Sequence, residues 1–117
     1  MALPRPREVW FIELEETRGH EQSGNRPVVV LARSFGMHVI IPFTTSHNAG
    51  NFPHTHMVEP DGGNGLRNVS FALCFQILSL DEERFLKKLG VLSESDFSCI
   101  QAILMDLFGF DDQFKGP

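Results

Sequence analysis

The run Pro27-Val28-Val29-Val30-Leu31 limits this chain more than any other stretch. An unbroken apolar segment of that length, rich in β-branched side chains, reads as a buried strand. Thr17 to Pro27, TRGHEQSGNRP, leads into it and holds two arginines, a histidine, a glutamate, a glutamine and two glycines. A polar, Gly-punctuated loop is thus fixed at the mouth of a core strand, where binding and catalytic groups tend to sit. Pro27 confines Arg26 to an extended backbone. A guanidinium held there suits a planar anion such as a phosphate. Taken alone, the loop leaves a second reading open: an ordinary hairpin loop whose arginine caps a carboxylate.

The remaining pattern is mostly that of short strands. Glu8 to Leu14 (EVWFIEL) reads as a first strand, Pro27 to Ala32 as a second and Met37 to Phe43 as a third. Arg33 to Gly36 is a tight turn between the last two. Thr44 to Pro53 is polar and rich in Gly, Asn and Pro, hence a loop. His54 to Glu59 alternates as a half-exposed strand, Pro60 to Gly65 is a turn, and Asn68 to Leu78 is long enough for one central strand. The period then changes. Glu82 to Leu89 reads as a short helix stopped by Gly90. Ser93-Glu94-Ser95-Asp96 resembles a capping box, with Phe97, Ile100, Ile103, Leu104, Leu107 and Phe108 on one side of a second helix ending at Gly109. Asp111 to Pro117 is expected to be a frayed tail. Five strands followed by two helices point to a mainly β fold with C-terminal helices, a small curled barrel capped by the last helix.

At 117 residues the chain reads as one domain spanning 1–117, and 42% apolar against 21% charged residues is a globular balance. No apolar run reaches the length of a membrane span, and the N-terminus MALPRPREVWF has no apolar signal region, so a cytoplasmic protein is expected. Cys74 and Cys99 both lie among apolar residues and read as small core side chains in a reducing compartment. Net charge is -5, which weighs against a broad electrostatic hold on nucleic acid. The excess is uneven. Residues 1–76 carry six Lys/Arg against seven Asp/Glu, residues 77–117 four against eight. The part with the arginine loop is therefore near neutral, which leaves room for a small anion-binding cleft. Eleven Phe and no Tyr fit a Phe-rich core and argue against a tyrosine-lined RNA platform.

Two loops leave neighbouring strands and are placed to meet. One carries His20, Glu21, Gln22 and Arg26; the other begins Thr44-Thr45-Ser46-His47. A cation, hydroxyl donors and proton carriers suit the cleavage of a phosphodiester that holds its own nucleophile, as RNA does in its 2′-hydroxyl. The protein need only position the strand, offset charge on phosphorus-bound oxygens and move two protons. The plain alternative for Thr44-Thr45-Ser46 is a polar strand end bonded to its own backbone.

In order and content the chain resembles the MazF/PemK family of endoribonuclease toxins. The resemblance rests on VWFIEL, TRGHEQSGNRPVVVL, IIPFTT and ALCFQILSLD, then the helical end with KKLG and LS, from about Glu8 to Phe110. GHEQSGNRPVVV, close to the family's G-x-E-Q-x-G-x-R-P, is its most specific part. The resemblance implies a small SH3-like β-barrel of the MazF/PemK/CcdB type. It implies a homodimeric toxin of a toxin–antitoxin system that cuts single-stranded mRNA without metal or cofactor at short sequences, leaving a 2′,3′-cyclic phosphate. The family's essential arginine falls on Arg26 and its threonine on Thr44, with Glu21 on the signature glutamate as proton-transfer or loop-support residue. His20, Gln22, Thr45, Ser46, His47 and Gln76 would line the RNA groove, which an acidic antitoxin segment normally covers.

The chain departs from the family pattern twice. Pro6-Arg7-Glu8 stands where Arg-Gly-Asp is frequent, so the loop that this glycine shapes is expected to differ. Phe75 precedes Gln76 where an acid or small polar residue is usual, which would alter base preference or offer a stacking face. Two other functions share the fold: a CcdB-type toxin that binds DNA gyrase, and an inactive RNA- or antitoxin-binding homologue. His54 and His56, two apart on a strand, share one face, with His47 as a third imidazole. This triad lacks a fourth ligand and cysteine spacing, so exposed loop residues are the favoured reading over a metal site. Asn68-Val69-Ser70 fits a glycosylation sequon without consequence inside a cell.

Overall fold

The computed structural model describes residues 3–14 and 24–110. Its elements are strands β1 (Glu8–Leu14), β2 (Gly24–Ser34), β3 (Met37–Thr44), β4 (Thr55–Val58), β5 (Ser70–Leu73), β6 (Leu78–Asp81) and β7 (Phe85–Val91), then helix α1 (Glu94–Phe108). Single 3-10 turns occupy His47–Asn51 and Glu82–Arg84. The strands pair in the order β4-β5-β3-β2-β1-β7, with β6 also on β3. Every pairing is antiparallel. No ladder joins β4 to β7 among the described residues, so the mainly β class holds but the sheet is open where a barrel was expected.

Side chains alternate across a strand, and the central three strands have apolar residues on both faces. Val9, Val29, Ile41 and Phe43 join one cluster with Val58, Ala72, Cys74 and Ile100. Trp10, Ile12, Val28, Val30 and Ile40 join the other with Phe85. This is why Val28-Val29-Val30 reads as a continuous run. His38 is packed with the second set, 1% exposed, its ring edge-on to Phe85 at 5.1 Å.

Two elements and one cysteine differ from the sequence reading. The expected helix over Glu82 to Leu89 is one 3-10 turn followed by β7, which pairs with β1 through Lys88 to Trp10 and Lys87 to Phe11. Helical spacing there lost to cross-strand pairing. Gly90 does not cap a helix; a Cβ on it would lie 2.1 Å from the Gly63 carbonyl oxygen, where the loop crosses the strand. The expected central strand Asn68 to Leu78 is broken. β5 lies beside Phe43 and Thr44, β6 beside Met37 to Ile40, and a turn at 74–75 separates them. Lastly, Cys74 is buried but Cys99 is exposed on the outer side of α1.

The terminal helix follows the expected chemistry. Ser93 Oγ accepts from Asp96 N–H at 3.0 Å, and Gly109 takes φ 77 at the C-terminal end. His56 Nε2 lies 2.9 Å from Asp96 Oδ1, and His54 Nε2 lies 3.0 Å from Asp106 Oδ2. Two His–Asp bonds therefore tie the helix to the β4 segment.

Arg7, which stands in place of the family glycine, keeps a left-handed backbone at φ 78. A side chain with a Cβ held in that region costs about 1–2 kcal/mol. Arg7 N–H donates to Val30 O at 2.8 Å and its own carbonyl accepts from Leu92 N–H at 2.9 Å, which holds that conformation in place.

Burial alone would raise the Glu8 carboxyl. Hydrogen bonds from Trp10 Nε1, the Arg5 N–H and Lys88, together with the Lys88 charge, outweigh it and hold the group below its ordinary 4.5. A depressed carboxylate stabilises the fold above its unfolded value and loses that contribution as pH falls. Glu8→Gln is therefore expected to lower stability by about 1 kcal/mol near neutral pH. In urea titrations across pH the deficit should close below about pH 4.

Burial pushes the Cys74 thiol up to about 11. One reactive thiol per native chain, assigned to Cys99 by mass spectrometry, is the expected result with a thiol reagent at neutral pH, and two after denaturation. Gly90→Ala should cost about 2–3 kcal/mol, read by chemical unfolding, because the colliding atoms are backbone.

Candidate active site

β2 and β3 hold the candidate groups at one end of the sheet. Val28 pairs with Pro42, and the same antiparallel count carried toward the strand ends brings Arg26 level with Thr44. On its other side Arg26 pairs with Ile12 of β1, which is fully buried. The guanidinium thus rises from a strand braced on both edges. Pro27, next in line, reads as the sequence implied.

Arg26 and Thr44 line one cavity of about 180 Å³, together with Asn25, Thr45 and Ser70. Thr44 Oγ1 accepts from the Ser46 N–H at 3.2 Å. That bond uses a lone pair and leaves the hydroxyl hydrogen to donate elsewhere. The plain reading of this segment, a strand end bonded to its own backbone, is therefore present, and it orients the threonine rather than consuming it. A cation and a hydroxyl donor facing one small cavity are the groups that an oxyanion on phosphorus needs.

Of the other expected residues, Thr45 lies in the same cavity. Ser46 and His47 follow it, exposed, but do not line it. Gln76 is exposed at the break between β5 and β6, beside Phe75, and is not part of this cavity. Phe75 is 41% exposed and meets Phe52 edge-on at 6.4 Å, forming an aromatic ledge. Glu21, His20 and Gln22 lie outside the described residues.

Sequence reasoning passed over Ser70. It is buried at the start of β5, lines the cavity, and donates its hydroxyl to Asn68 O at 2.9 Å. Its only visible signal was a sequon-like triplet. His54 and His56 are engaged with helix carboxylates, not with His47. Among the described residues no three His, Cys, Asp or Glu side chains gather in a metal-holding group. No described helix is long and apolar enough to cross a membrane.

The family described as "PemK-like, MazF-like toxin of type II toxin-antitoxin system" matches residues 5–108. The chain is 35% identical over 81 residues to endoribonuclease PemK of Escherichia coli, a match covering 63% of this chain and 58% of PemK. The chain thus spans less than two thirds of that relative's length. It is 32% identical over 93 residues to endoribonuclease MazF of Staphylococcus epidermidis, covering 75% and 77%. Its fold is similar to that of MazF from Deinococcus radiodurans, with a TM-score of 0.73, 23% identity and coverage of 93% and 99%. MazF in the MazE–MazF complex from the same organism gives 0.72, 22%, 93% and 98%.

Proposed function

The chain belongs to the PemK-like, MazF-like toxins of type II toxin–antitoxin systems, and from that premise we propose that it is an endoribonuclease cutting single-stranded mRNA without metal. The observation that carries this reading is the pairing of Arg26 with Thr44 in one cavity. In the proposed reaction the RNA 2′-oxygen attacks the adjacent phosphorus as its proton is taken up. The bond from phosphorus to the 5′-oxygen breaks, and that oxygen leaves with a proton. The products are a 2′,3′-cyclic phosphate and a 5′-hydroxyl. Arg26 is proposed to offset charge on the non-bridging oxygens and to supply the leaving proton; Thr44 is proposed to donate a hydrogen bond to the same phosphate. Glu21 is the proposed proton acceptor, and His20 and Gln22 are proposed to bind the RNA. Thr45, Ser46 and His47 continue the contact, and Gln76 reads bases from the Phe75 ledge.

The partners in this reading are an antitoxin and a second copy of the chain. Support for the antitoxin comes from the similarity to MazF solved with MazE. Support for the homodimer is the apolar surface on and near the last helix, where Met105 is 40% and Phe108 53% exposed. A cytoplasmic location follows from the substrate.

The test is incubation of the purified protein with a long, lightly structured RNA in EDTA, then analysis of fragment ends. Discrete fragments with 2′,3′-cyclic phosphate ends are expected. Arg26→Ala should lower the rate by at least about 100-fold with folding retained, and Thr44→Val by about tenfold to 100-fold. Arg26→Lys keeps charge but loses the planar fork and should remain strongly impaired. An Arg26→Ala protein that cuts at the original rate would refute the assignment. Intact RNA together with capture of DNA gyrase would favour the CcdB-type reading.

A further inference from the structure

A second, larger cavity of about 410 Å³ opens beside the first and shares Pro27, Thr45 and Ser70 with it. Its floor is a cross-strand row. Phe11 of β1 pairs with Pro27 on one side and with Lys87 of β7 on the other. Its wall is the loop bearing Arg67 and Asn68. The volume falls in the range of small-ligand sites, about 300–1,000 Å³.

The charges around this cleft are distributed unevenly. Lys88 points to the opposite face and is bound to Glu8 at 3.0 Å. Arg7 pairs with Glu94 at 3.6 Å. Lys87 and Arg67, both exposed, make no ion pair with a described residue. In a chain of net charge -5, two such cations flank one cleft over a flat aromatic and proline floor. Cations that track a backbone beside an aromatic face are the elements of single-stranded nucleic-acid binding.

We propose that this cleft is a nucleotide subsite, seating a nucleotide next to the scissile phosphate with its base on Phe11 and Pro27 and its phosphate between Arg67 and Lys87. The proposal rests on the RNA-cleaving reading above and extends it. The residues act in binding and in sequence preference, not in bond breaking. Continuity with the Arg26 cavity sets the distance, because Thr45 and Ser70 stand on the boundary between the two. The remaining polar group on the wall, the Asn68 amide, is placed to read a base edge.

The experiment compares wild type with Arg67→Ala/Lys87→Ala, both exposed positions whose loss leaves the core intact, and with Phe11→Leu. Arg5→Ala/Arg33→Ala, two exposed cations outside the cleft, controls for net charge. Cleavage of a labelled single-stranded RNA of about ten nucleotides is followed over a range of salt. The double variant should raise KM about tenfold or more while kcat changes far less. Its dependence of log(kcat/KM) on log salt should flatten by about 0.7, the contribution of one phosphate contact on a single strand. Phe11→Leu should weaken RNA about tenfold and change the order of preferred sequences.

Unchanged KM and salt slope in the double variant, with wild type still cutting, would overturn the subsite and leave the nuclease reading intact. An equal effect of Arg5→Ala/Arg33→Ala would overturn it as well, as would weakened capture of an acidic antitoxin peptide with RNA handling unaltered. If wild type cuts no RNA, fluorescence anisotropy with the same oligonucleotide separates the two ideas. A tenfold weaker hold by the double variant sustains the subsite without the nuclease, and equal binding or none refutes it.

Discussion

The antiparallel pairing of β2 with β3 is the constraint on which the rest of the molecule depends. Val28, Val29 and Val30 are fully buried, and alternate members of that run enter different clusters. A strand committed on both faces has no slack in register. A slip of one residue would turn every side chain to the other face. That would separate Arg26 from Thr44 as surely as deleting either. The geometry of the cavity is thus fixed by valines that are not part of its lining. Pro27 adds a local restriction at the point where the strand ceases to be core and becomes site.

The polar groups near the strand ends are arranged by short, local bonds rather than by long-range charge. Thr44 takes the Ser46 N–H and Ser70 donates to the Asn68 carbonyl. Such bonds limit the rotamers available before any ligand arrives, which is the condition for an electrostatic site to act without reorganising. The helix is secured in a different way. Apart from Ile100, its inward residues are only partly covered, and the two His–Asp bonds to the β4 segment add direction to a modest apolar contact.

Much of this was legible in the sequence, and what was not has identifiable causes. The first three strands, the turn at Arg33 to Gly36 and the capped final helix followed from periodicity and end signals. Those features are local, and local rules describe them. The stretch Glu82 to Leu89 misled because FLKKL satisfies helical spacing while its true partner, β1, is more than seventy positions away in the chain. Asn68 to Leu78 misled because a break at Cys74 leaves no strong turn residue as a marker. Cys99 was taken for core because its neighbours are apolar, although on a helix the adjacent residue points elsewhere. Arg26 and Thr44 were visible through Pro27 and the strand boundaries. Ser70 was not, since only the fold brings β5 alongside the end of β3.

The crossing of Gly90 against Gly63 and Asn64 has a further consequence. A Cβ on Gly90 would meet backbone at 2.1 Å, and one on Gly65 would meet the Leu89 carbonyl oxygen at 2.2 Å. Val91 N–H also donates to Gly63 O at 2.8 Å. The loop that walls the larger cleft is therefore seated on the strand that floors it, largely backbone against backbone. Wall and floor are thereby coupled through their backbones. In the proposed subsite that coupling would make the cleft a gauge, its width set by the spacing of two backbones and not by the rotamer of a side chain.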